Sequence, residues 1–220
     1  MILDHCEVVT RTDSISRDEW LEFRRQGIGG SDVSGILGKS RYKSRESILA
    51  SKLRAVNDKT GPAARWGQLL ERAVAQAYAE QTGSAVVAWP VLLRSKAHPF
   101  MLANVDFFIV EPSVAHPIGV TEYLSTEIPA LPATAILEIK TTGIVGRGNK
   151  AGWADNHVPT DYELQGAHYS AVTGLVRVVF ACLAPPLGLL VREREYEDNG
   201  ELVARESEFW YDVERKRAAI

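Results

Sequence analysis

Apolar and polar positions divide the chain into an N-terminal part with helical spacing and a central part with strand spacing. Ser16-Arg17-Asp18-Glu19 is a capping-box sequence, in which the serine caps a helix and the glutamate reaches back to it. The helices predicted in this part are 16–27, 31–37, 44–53 and 63–82, and glycines at or just after their ends mark three of their stops. We therefore expect an N-terminal half that is mainly helical.

The fourth of these helices carries an apolar stripe with one acidic residue at its edge. The stripe is predicted from helical spacing and comprises Trp66, Leu69, Leu70, Ala73, Val74 and Ala77. At about 100° per residue, Glu71 falls beside Val74 and Tyr78. We expect its carboxylate to face a cleft while its neighbours fill the core.

After residue 83 the period changes to that of strands rich in β-branched and aromatic residues. The predicted strands are 86–94, 100–110, 134–140, 176–183 and 189–196, with a proline-rich excursion at 111–133. A second capping box, Thr160-Asp161-Tyr162-Glu163, predicts a helix that ends at Gly174, and a last helix is expected at about 200–218 within the C-terminal segment 197–220. The pattern predicts a single α/β (α+β) domain, 1–220, with a central mixed sheet flanked by helices.

Composition narrows the class of protein. The 220 residues are 45% hydrophobic and 24% charged, which is typical of a globular domain, and no apolar run is long enough to span a bilayer. The N-terminus lacks the pattern of a secretory signal, and Cys6 and Cys182 are too few for a disulfide framework, so we expect a cytoplasmic protein with two free thiols and no membrane partner.

Charge is unevenly distributed, although the net charge is only −3. Residues 39–65 hold eight basic against two acidic side chains, whereas residues 193–214 hold nine acidic against two basic ones. A polyanion would be attracted to the first region and repelled by the second, but two solvated faces would explain the pattern equally well.

Three side chains in the strand region predict a cation site. Glu138 and Lys140 are two apart and project from the same side of a strand, while Leu137 and Ile139 face apolar packing. Asp106 is a lone aspartate in an apolar strand, so it must be paired, bound to a metal or solvated. Two carboxylates and the backbone carbonyl between Glu138 and Lys140 are oxygen ligands suited to Mg²⁺ or Mn²⁺.

The order of these residues resembles the PD-(D/E)xK nuclease superfamily, and flanking motifs are similar to those of the YqaJ-like viral recombinase family, which includes lambda exonuclease. The motifs span residues 20–174 and comprise the segment from Trp20 to Asp32, Trp66-Gly67-Gln68-Leu69-Leu70-Glu71, Asp106, Glu138-Ile139-Lys140 and the segment from Tyr162 to Tyr169. Val105 stands where that superfamily has proline, and the gap from Asp106 to Glu138 is long.

The resemblance implies a restriction-endonuclease-like core and a magnesium-dependent exonuclease. Such an enzyme would use two Mg²⁺ ions, or Mn²⁺ as a substitute, to hydrolyse linear double-stranded DNA in the 5′-to-3′ direction. It would leave 3′ single strands for annealing-type recombination, encoded by a phage or prophage in a bacterial host cell. The resemblance also implies a homotrimer that encloses DNA and a single-strand annealing protein as its partner.

The resemblance assigns roles to individual residues. Asp106, Glu138 and the carbonyl of Ile139 would be metal ligands, and Glu71 would act through a second metal or its waters. Lys140 would position the attacking water. The residues implied around the substrate are Gln165 near the nucleophile and Arg24 and Ser31 at the DNA 5′-phosphate. We add Arg25 and, from the local basic charge of residues 39–65, Lys39, Arg41 and Lys43 as candidate contacts with the DNA backbone.

Two other functions stay open at this stage, an endonuclease of the same superfamily and a DNA-binding module with a decayed site. Four other side chains near the motifs carry expectations of their own. Tyr162 and Tyr169 are expected to pack in the core, His168 to be packed or hydrogen-bonded, and Trp153 either to be buried or to contact DNA.

Overall fold

A computed structural model describes residues 2–54, 61–123, 131–142 and 151–219. Its α-helices are α1 (Ile2–His5), α2 (Arg17–Arg25), α3 (Gly30–Ile36), α4 (Arg45–Leu53), α5 (Pro62–Thr82), α6 (Thr160–Thr173) and α7 (Gly200–Arg217). Its strands are β1 (Cys6–Arg11), β2 (Ile28–Gly29), β3 (Ala85–Ala88), β4 (Val91–Ser95), β5 (Met101–Ala103), β6 (Phe107–Val110), β7 (Gly119–Glu122), β8 (Ala133–Thr141), β9 (Arg177–Leu183) and β10 (Leu189–Glu195). None of the described helices combines the length and apolar character needed to cross a membrane.

The strands form two sheets. A six-stranded mixed sheet has the order β10-β9-β8-β6-β3-β7, in which β8 runs parallel to β9 and antiparallel to β6. A four-stranded sheet has the order β1-β4-β5-β2, in which β2 is parallel to β5. The expected mixed α/β architecture is confirmed, with two sheets in place of the one that was expected.

The second sheet arises because two predicted long strands are each divided. The predicted strand 86–94 breaks at Trp89 and Pro90, and 100–110 breaks at residues 104–106, so β3 and β6 join the larger sheet while β4 and β5 join the smaller one. Proline has no N–H to donate to a ladder, which favours a break at Pro90. Asp106 lies at the second break, immediately before β6.

Two apolar clusters cover opposite faces of the larger sheet. Ile136 of β8 belongs to the cluster that also contains the four-stranded sheet and α6, whereas Leu137 and Ile139 pack with α5 on the other face. Because side chains alternate along a strand, Glu138 and Lys140 project toward the first cluster. A third cluster joins α3, α4 and α7.

The buried face of α5 differs from the predicted stripe. Val74 and Tyr78 are buried, but Trp66 is 50% exposed and Leu69 is 63% exposed. The face that packs on the sheet is centred on residues 74, 75, 78 and 79, so the helix is rotated from the position predicted. Alanines on both faces leave the periodicity ambiguous, and contact with the sheet selects the face.

The helix ends were predicted well, with one exception. Ser16 and Glu19 form the expected capping box, and Gly83 and Gly174 end α5 and α6 in the left-handed conformation. The second capping box is wrong, because Pro159 is the N-cap of α6 and no side chain caps it. The proline-rich excursion contributes β7, which pairs in parallel with β3, and its residues 124–130 lie outside the described part.

Candidate active site

The loop before β6 and the strand β8 meet at Asp106. Oδ2 of Asp106 accepts a hydrogen bond from the backbone N–H of Ile139 at 2.8 Å. The last residue pair at this end of the β6–β8 ladder is Phe107 and Leu137, so Asp106 and Ile139 lie just beyond the ladder. An extended strand directs the N–H and the carbonyl of one residue toward the same neighbour, so the Ile139 carbonyl also faces the gap that holds Asp106.

Lys140 lies between two carboxylates. Its Nζ donates to Oε2 of Glu138 at 2.8 Å and lies 4.0 Å from Oδ2 of Asp106. The Glu138 side chain is fully buried, and its Oε1 has no hydrogen-bond partner among the described residues. A buried carboxylate oxygen without a partner is costly, which indicates that a group bound from outside completes the site.

Glu71 extends the cluster from the middle of α5. Burial, and then the charge of Asp106, raise the pKa of Glu71 to about 7, against the opposing effect of Lys140. The same causes raise the pKa of Glu138 to about 8, because burial outweighs its ion pair with Lys140. The pKa of Asp106 is also raised, mainly by burial. Lys140 keeps its charge, since both carboxylates raise its pKa although burial opposes them.

The charges of this cluster do not balance. Among the described residues, three carboxylates, those of Glu71, Asp106 and Glu138, share one ammonium group, that of Lys140. Raised pKa values are the expected response of carboxylates that lack enough positive charge. Hard oxygen ligands with excess negative charge fit Mg²⁺ or Mn²⁺. Within the described residues, however, no three histidine, cysteine, aspartate or glutamate side chains are grouped so that they could hold a metal ion.

Gln165 lies on α6, between the carboxylates and the N-terminus of α3. Its Nε2 donates to the hydroxyl of Tyr169 at 3.1 Å. Burial and then the charges of Glu138 and Asp106 raise the pKa of Tyr169, so its phenol is close to the cluster. Gly30 is required here, because a Cβ on it would lie 2.7 Å from the Tyr169 ring and 2.9 Å from Cγ of Gln165.

Two further aromatic residues support Lys140. Its Nζ lies 5.2 Å from the centre of the Tyr162 ring, and that ring packs against Trp153 at 5.8 Å. Trp153 is buried, which favours packing over contact with DNA. Tyr162 and Tyr169 therefore pack as expected, but they pack against the site.

His168 is not part of the cluster. It is fully buried, with Nδ1 on the Glu206 carboxylate at 2.9 Å and Nε2 on the carbonyl of Leu102 at 2.9 Å. This confirms the expectation of a hydrogen-bonded histidine. It ties α6 to both α7 and β5.

Arg24 and Ser31 come together in a second, basic cavity of about 670 Å³. Nη2 of Arg24 donates to Oγ of Ser31 at 3.3 Å and to Oδ2 of Asp32 at 3.0 Å. A Cβ on Gly29 would overlap the guanidinium carbon of Arg24, so any other residue at this position would displace that guanidinium. The Trp20 ring packs against Arg24, and its Nε1 donates to Asn104, two residues before Asp106.

The other candidate DNA contacts are distributed around this cavity. Lys43 lines it and lies 3.3 Å from Oδ1 of Asp32, and Arg25 also lines it but is paired with Glu22. Lys39 and Arg41 are exposed in the connection between α3 and α4, outside the cavity lining. Sequence reasoning missed Lys52, which is buried on α4 and donates to Asp32 at 2.8 Å.

A comparison with models of protein families shows to which family this chain belongs. The model of the YqaJ-like viral recombinase domain matches residues 19–176. The chain belongs to this family. It is 33% identical over 218 residues to the protein YqaJ of Bacillus subtilis (strain 168), covering 96% of this chain and 61% of YqaJ. It therefore spans less than two thirds of that relative. A 56-residue segment is 43% identical to protein D345L of African swine fever virus (strain Badajoz 1971 Vero-adapted), covering 25% of this chain and 16% of D345L.

Solved structures show the same fold. The alkaline exonuclease LHK-Exo from Laribacter hongkongensis matches with a TM-score of 0.68 and 16% identity. A second structure of LHK-Exo, in complex with dAMP, matches with a TM-score of 0.69 and the same identity. Each match covers 92% of this chain and 95% of LHK-Exo. At 16% identity, these matches show that the chain shares the fold of LHK-Exo.

Proposed function

We propose that this chain is a magnesium-dependent 5′-to-3′ exonuclease that acts on linear double-stranded DNA. The observation that carries the proposal is the group of three carboxylates around one ammonium, Glu71, Asp106, Glu138 and Lys140, with one buried carboxylate oxygen unpaired. A site of this kind fits divalent cations and a phosphodiester better than it fits a purely structural ion pair.

We assign the roles of the residues from the family resemblance, and their positions support the assignment. Asp106, Glu138 and the carbonyl of Ile139 would hold the first ion, and Glu71 would act through a second ion or its waters. Bound divalent cations would lower the pKa of water and neutralise charge on the phosphate. Lys140 keeps its charge, because neighbouring carboxylates raise its pKa, and it would place that charge beside the attacking water.

Gln165 and Arg24 would orient the DNA. Gln165 donates to Tyr169 through Nε2, which fixes the amide at the edge of the carboxylate cluster. Arg24 and Ser31 line the basic cavity, where they would bind the 5′-phosphate of the strand being degraded. The related fold of LHK-Exo binds dAMP, a nucleoside 5′-monophosphate, which is the class of product that an exonuclease can release.

The biological setting is part of the proposal. The enzyme would leave 3′ single strands for annealing-type recombination in the cytoplasm of a bacterial host, encoded by a phage or prophage. It would act as a homotrimer around DNA and with a single-strand annealing protein. Sedimentation of the purified protein tests the trimer.

A nuclease assay tests the activity. Purified protein is incubated with linear 5′-phosphorylated duplex DNA or with covalently closed circles, with Mg²⁺ or with EDTA. The proposal predicts Mg²⁺-dependent release of nucleotides from the linear DNA alone, and loss of release in Lys140→Ala. Cutting of closed circles would indicate an endonuclease, and binding without cutting would indicate a decayed site.

A further inference from the structure

Asp32 is a buried carboxylate that contacts three cationic side chains. Its Oδ2 accepts from Nη2 of Arg24 at 3.0 Å and from Nζ of Lys52 at 2.8 Å, and its Oδ1 accepts from Nζ of Lys43 at 3.3 Å. Burial would raise the pKa of Asp32, but the three cations outweigh it and hold that pKa well below its usual range. Asp32 is therefore a permanent negative charge in the wall of the basic cavity.

The three cations differ in their access to solvent. The side chain of Lys52 is 4% exposed and also donates to the backbone carbonyl of Arg24 at 2.9 Å, so it is committed to the interior. The Lys43 side chain is 47% exposed, lines the cavity and contacts the other carboxylate oxygen of Asp32, Oδ1. Lys52 can thus neutralise Asp32, which leaves the charges of Arg24 and Lys43 for a ligand.

Arg24 is held by contacts on several sides. Within the described residues, both of its hydrogen bonds come from Nη2, to Ser31 and to Asp32. Its guanidinium lies against the Trp20 ring at 5.2 Å and against Gly29, where no Cβ fits. A free arginine side chain must be ordered when it binds a ligand, and an arginine that is already fixed avoids that entropic cost.

The cavity suits a phosphate monoester. Its lining holds five basic residues, Arg17, Arg24, Arg25, Lys43 and Lys52, and three acidic residues, Asp18, Glu22 and Asp32. The formal surplus is therefore two positive charges. A terminal phosphate monoester carries a charge of about −1.5 to −2 near neutral pH, whereas an internal phosphodiester carries about one negative charge.

We propose that Asp32 is a positioning residue that, neutralised by Lys52, holds Arg24 and Lys43 in place to bind a terminal 5′-phosphate in preference to a 5′-hydroxyl. This inference rests on the proposed function in taking a DNA end as the ligand and Arg24 as a contact of its 5′-phosphate; what it adds is the role of Asp32, Lys52 and Lys43. Asp32 itself does not touch the phosphate, since like charges repel, and it acts through Arg24 and Lys43.

The test compares duplexes that differ only in a 5′-phosphate or a 5′-hydroxyl end. Affinity is measured in EDTA by fluorescence anisotropy, which needs no cleavage, for the wild type, Arg24→Gln, Asp32→Asn and their double variant. We expect each single variant to lose about tenfold in preference for the phosphorylated end, with affinity for the hydroxyl end within about twofold of wild type. The double variant should lose no more than either single variant, because Asp32 acts through Arg24.

Lys43→Met supplies a second variant at a partly exposed side chain, and Arg45→Gln is its control. Arg45 lies on the same helix as Lys52 but pairs with Asp212, away from the cavity. Lys43→Met should lose preference for the phosphorylated end, while Arg45→Gln should keep it. If Asp32→Asn does not fold, loss of preference in both Arg24→Gln and Lys43→Met supports the inference, and preference retained in either one overturns it.

The remaining outcomes separate this inference from the proposed function. Equal losses of affinity for both kinds of end in Asp32→Asn would show that Asp32 only supports the fold. A double variant in which the two losses of preference multiply would show that Asp32 acts independently of Arg24. Either result would overturn the inference. A wild type that prefers phosphorylated ends but never cuts them would contradict the nuclease and leave the inference standing. A wild type that cuts but has no end preference would overturn the inference alone.

Discussion

The carboxylate of Asp106 accepts a hydrogen bond from the backbone N–H of Ile139 at 2.8 Å, so the residue between Glu138 and Lys140 is tied to the break between the two sheets. This bond fixes the distance between the loop before β6 and the backbone of β8 at Ile139. The acidic residues of two different elements thereby come to face one ammonium group, and the site depends on this junction more than on either strand alone.

Replacing Lys140 should remove catalysis without unfolding the protein. In Lys140→Met the stem of the side chain is kept, and the carboxylates, whose pKa values are already raised, can take up protons when the ammonium is lost. We expect the rate of nucleotide release to fall by at least about 100-fold, with a circular dichroism spectrum like that of the wild type. The matched control is Arg205→Met on α7, where the side chain is 58% exposed, and an equal loss there would argue against a specific role for Lys140.

The close packing of α3 on α6 should make Gly30 intolerant of any side chain. Gly30→Ala places a Cβ 2.7 Å from the Tyr169 ring, so we expect a loss of about 1–3 kcal/mol in the free energy of unfolding. Gly67→Ala is the comparison, because the nearest atom to its Cβ would be Thr141 Oγ1 at 3.8 Å and helix propensity favours alanine by about 0.5–1 kcal/mol. Urea unfolding of both variants measures the difference, and equal stabilities would contradict the predicted clash.

His168 should make the stability of the fold depend on pH. Burial alone would lower the pKa of His168, but Glu206 and the Leu102 carbonyl raise it above its ordinary value. A raised pKa means that the pair contributes fully below about pH 6.5, the value of the unfolded chain, and loses its contribution as the pH rises through the higher folded value. His168→Gln should cost about 3 kcal/mol at pH 6, and the cost should shrink at higher pH. Thermal melts of both proteins across the pH range measure this, and a constant difference would show that His168 is not charged in the folded state.

Local sequence patterns predicted which side chains share a face of a strand better than they predicted where the strands divide. The spacing of Glu138 and Lys140 determined a shared face, because side-chain alternation along a strand is local. The division of 100–110 into β5 and β6 was not predicted, since apolar residues on both sides of residues 104–106 satisfy either one strand or two. Asp32 and Lys52 were missed as partners because 20 residues separate them in sequence, and only the packing of α3 on α4 brings them together. The sequence shows only an aspartate after Gly-Gly-Ser, and its burial, which demands a cationic partner, is seen in the structure alone.

The exposed basic residues between α3 and α4 should contribute to DNA affinity through charge alone. In the double variant Lys39→Glu and Arg41→Glu, DNA binding should weaken on every sequence. The slope of the logarithm of affinity against the logarithm of salt should become shallower by about two, because about one counterion is released for each phosphate contact. Titrations at several salt concentrations measure the slope. The same reversal at Arg205 and Arg215, both exposed on the acidic α7, should leave it unchanged, and an unchanged slope in the Lys39 and Arg41 variant would reject that contact.

The most direct test of the account is a crystal soaked in Mn²⁺ and measured for anomalous scattering. We predict a peak between Asp106 and Glu138 with oxygen distances of about 2.1–2.3 Å, and with the free Oε1 of Glu138 among the ligands. The peak should be absent from a crystal of Asp106→Asn treated in the same way. A wild-type map without a peak, in which Lys140 alone still pairs with Glu138, would contradict the claim that this cluster is a divalent-cation site.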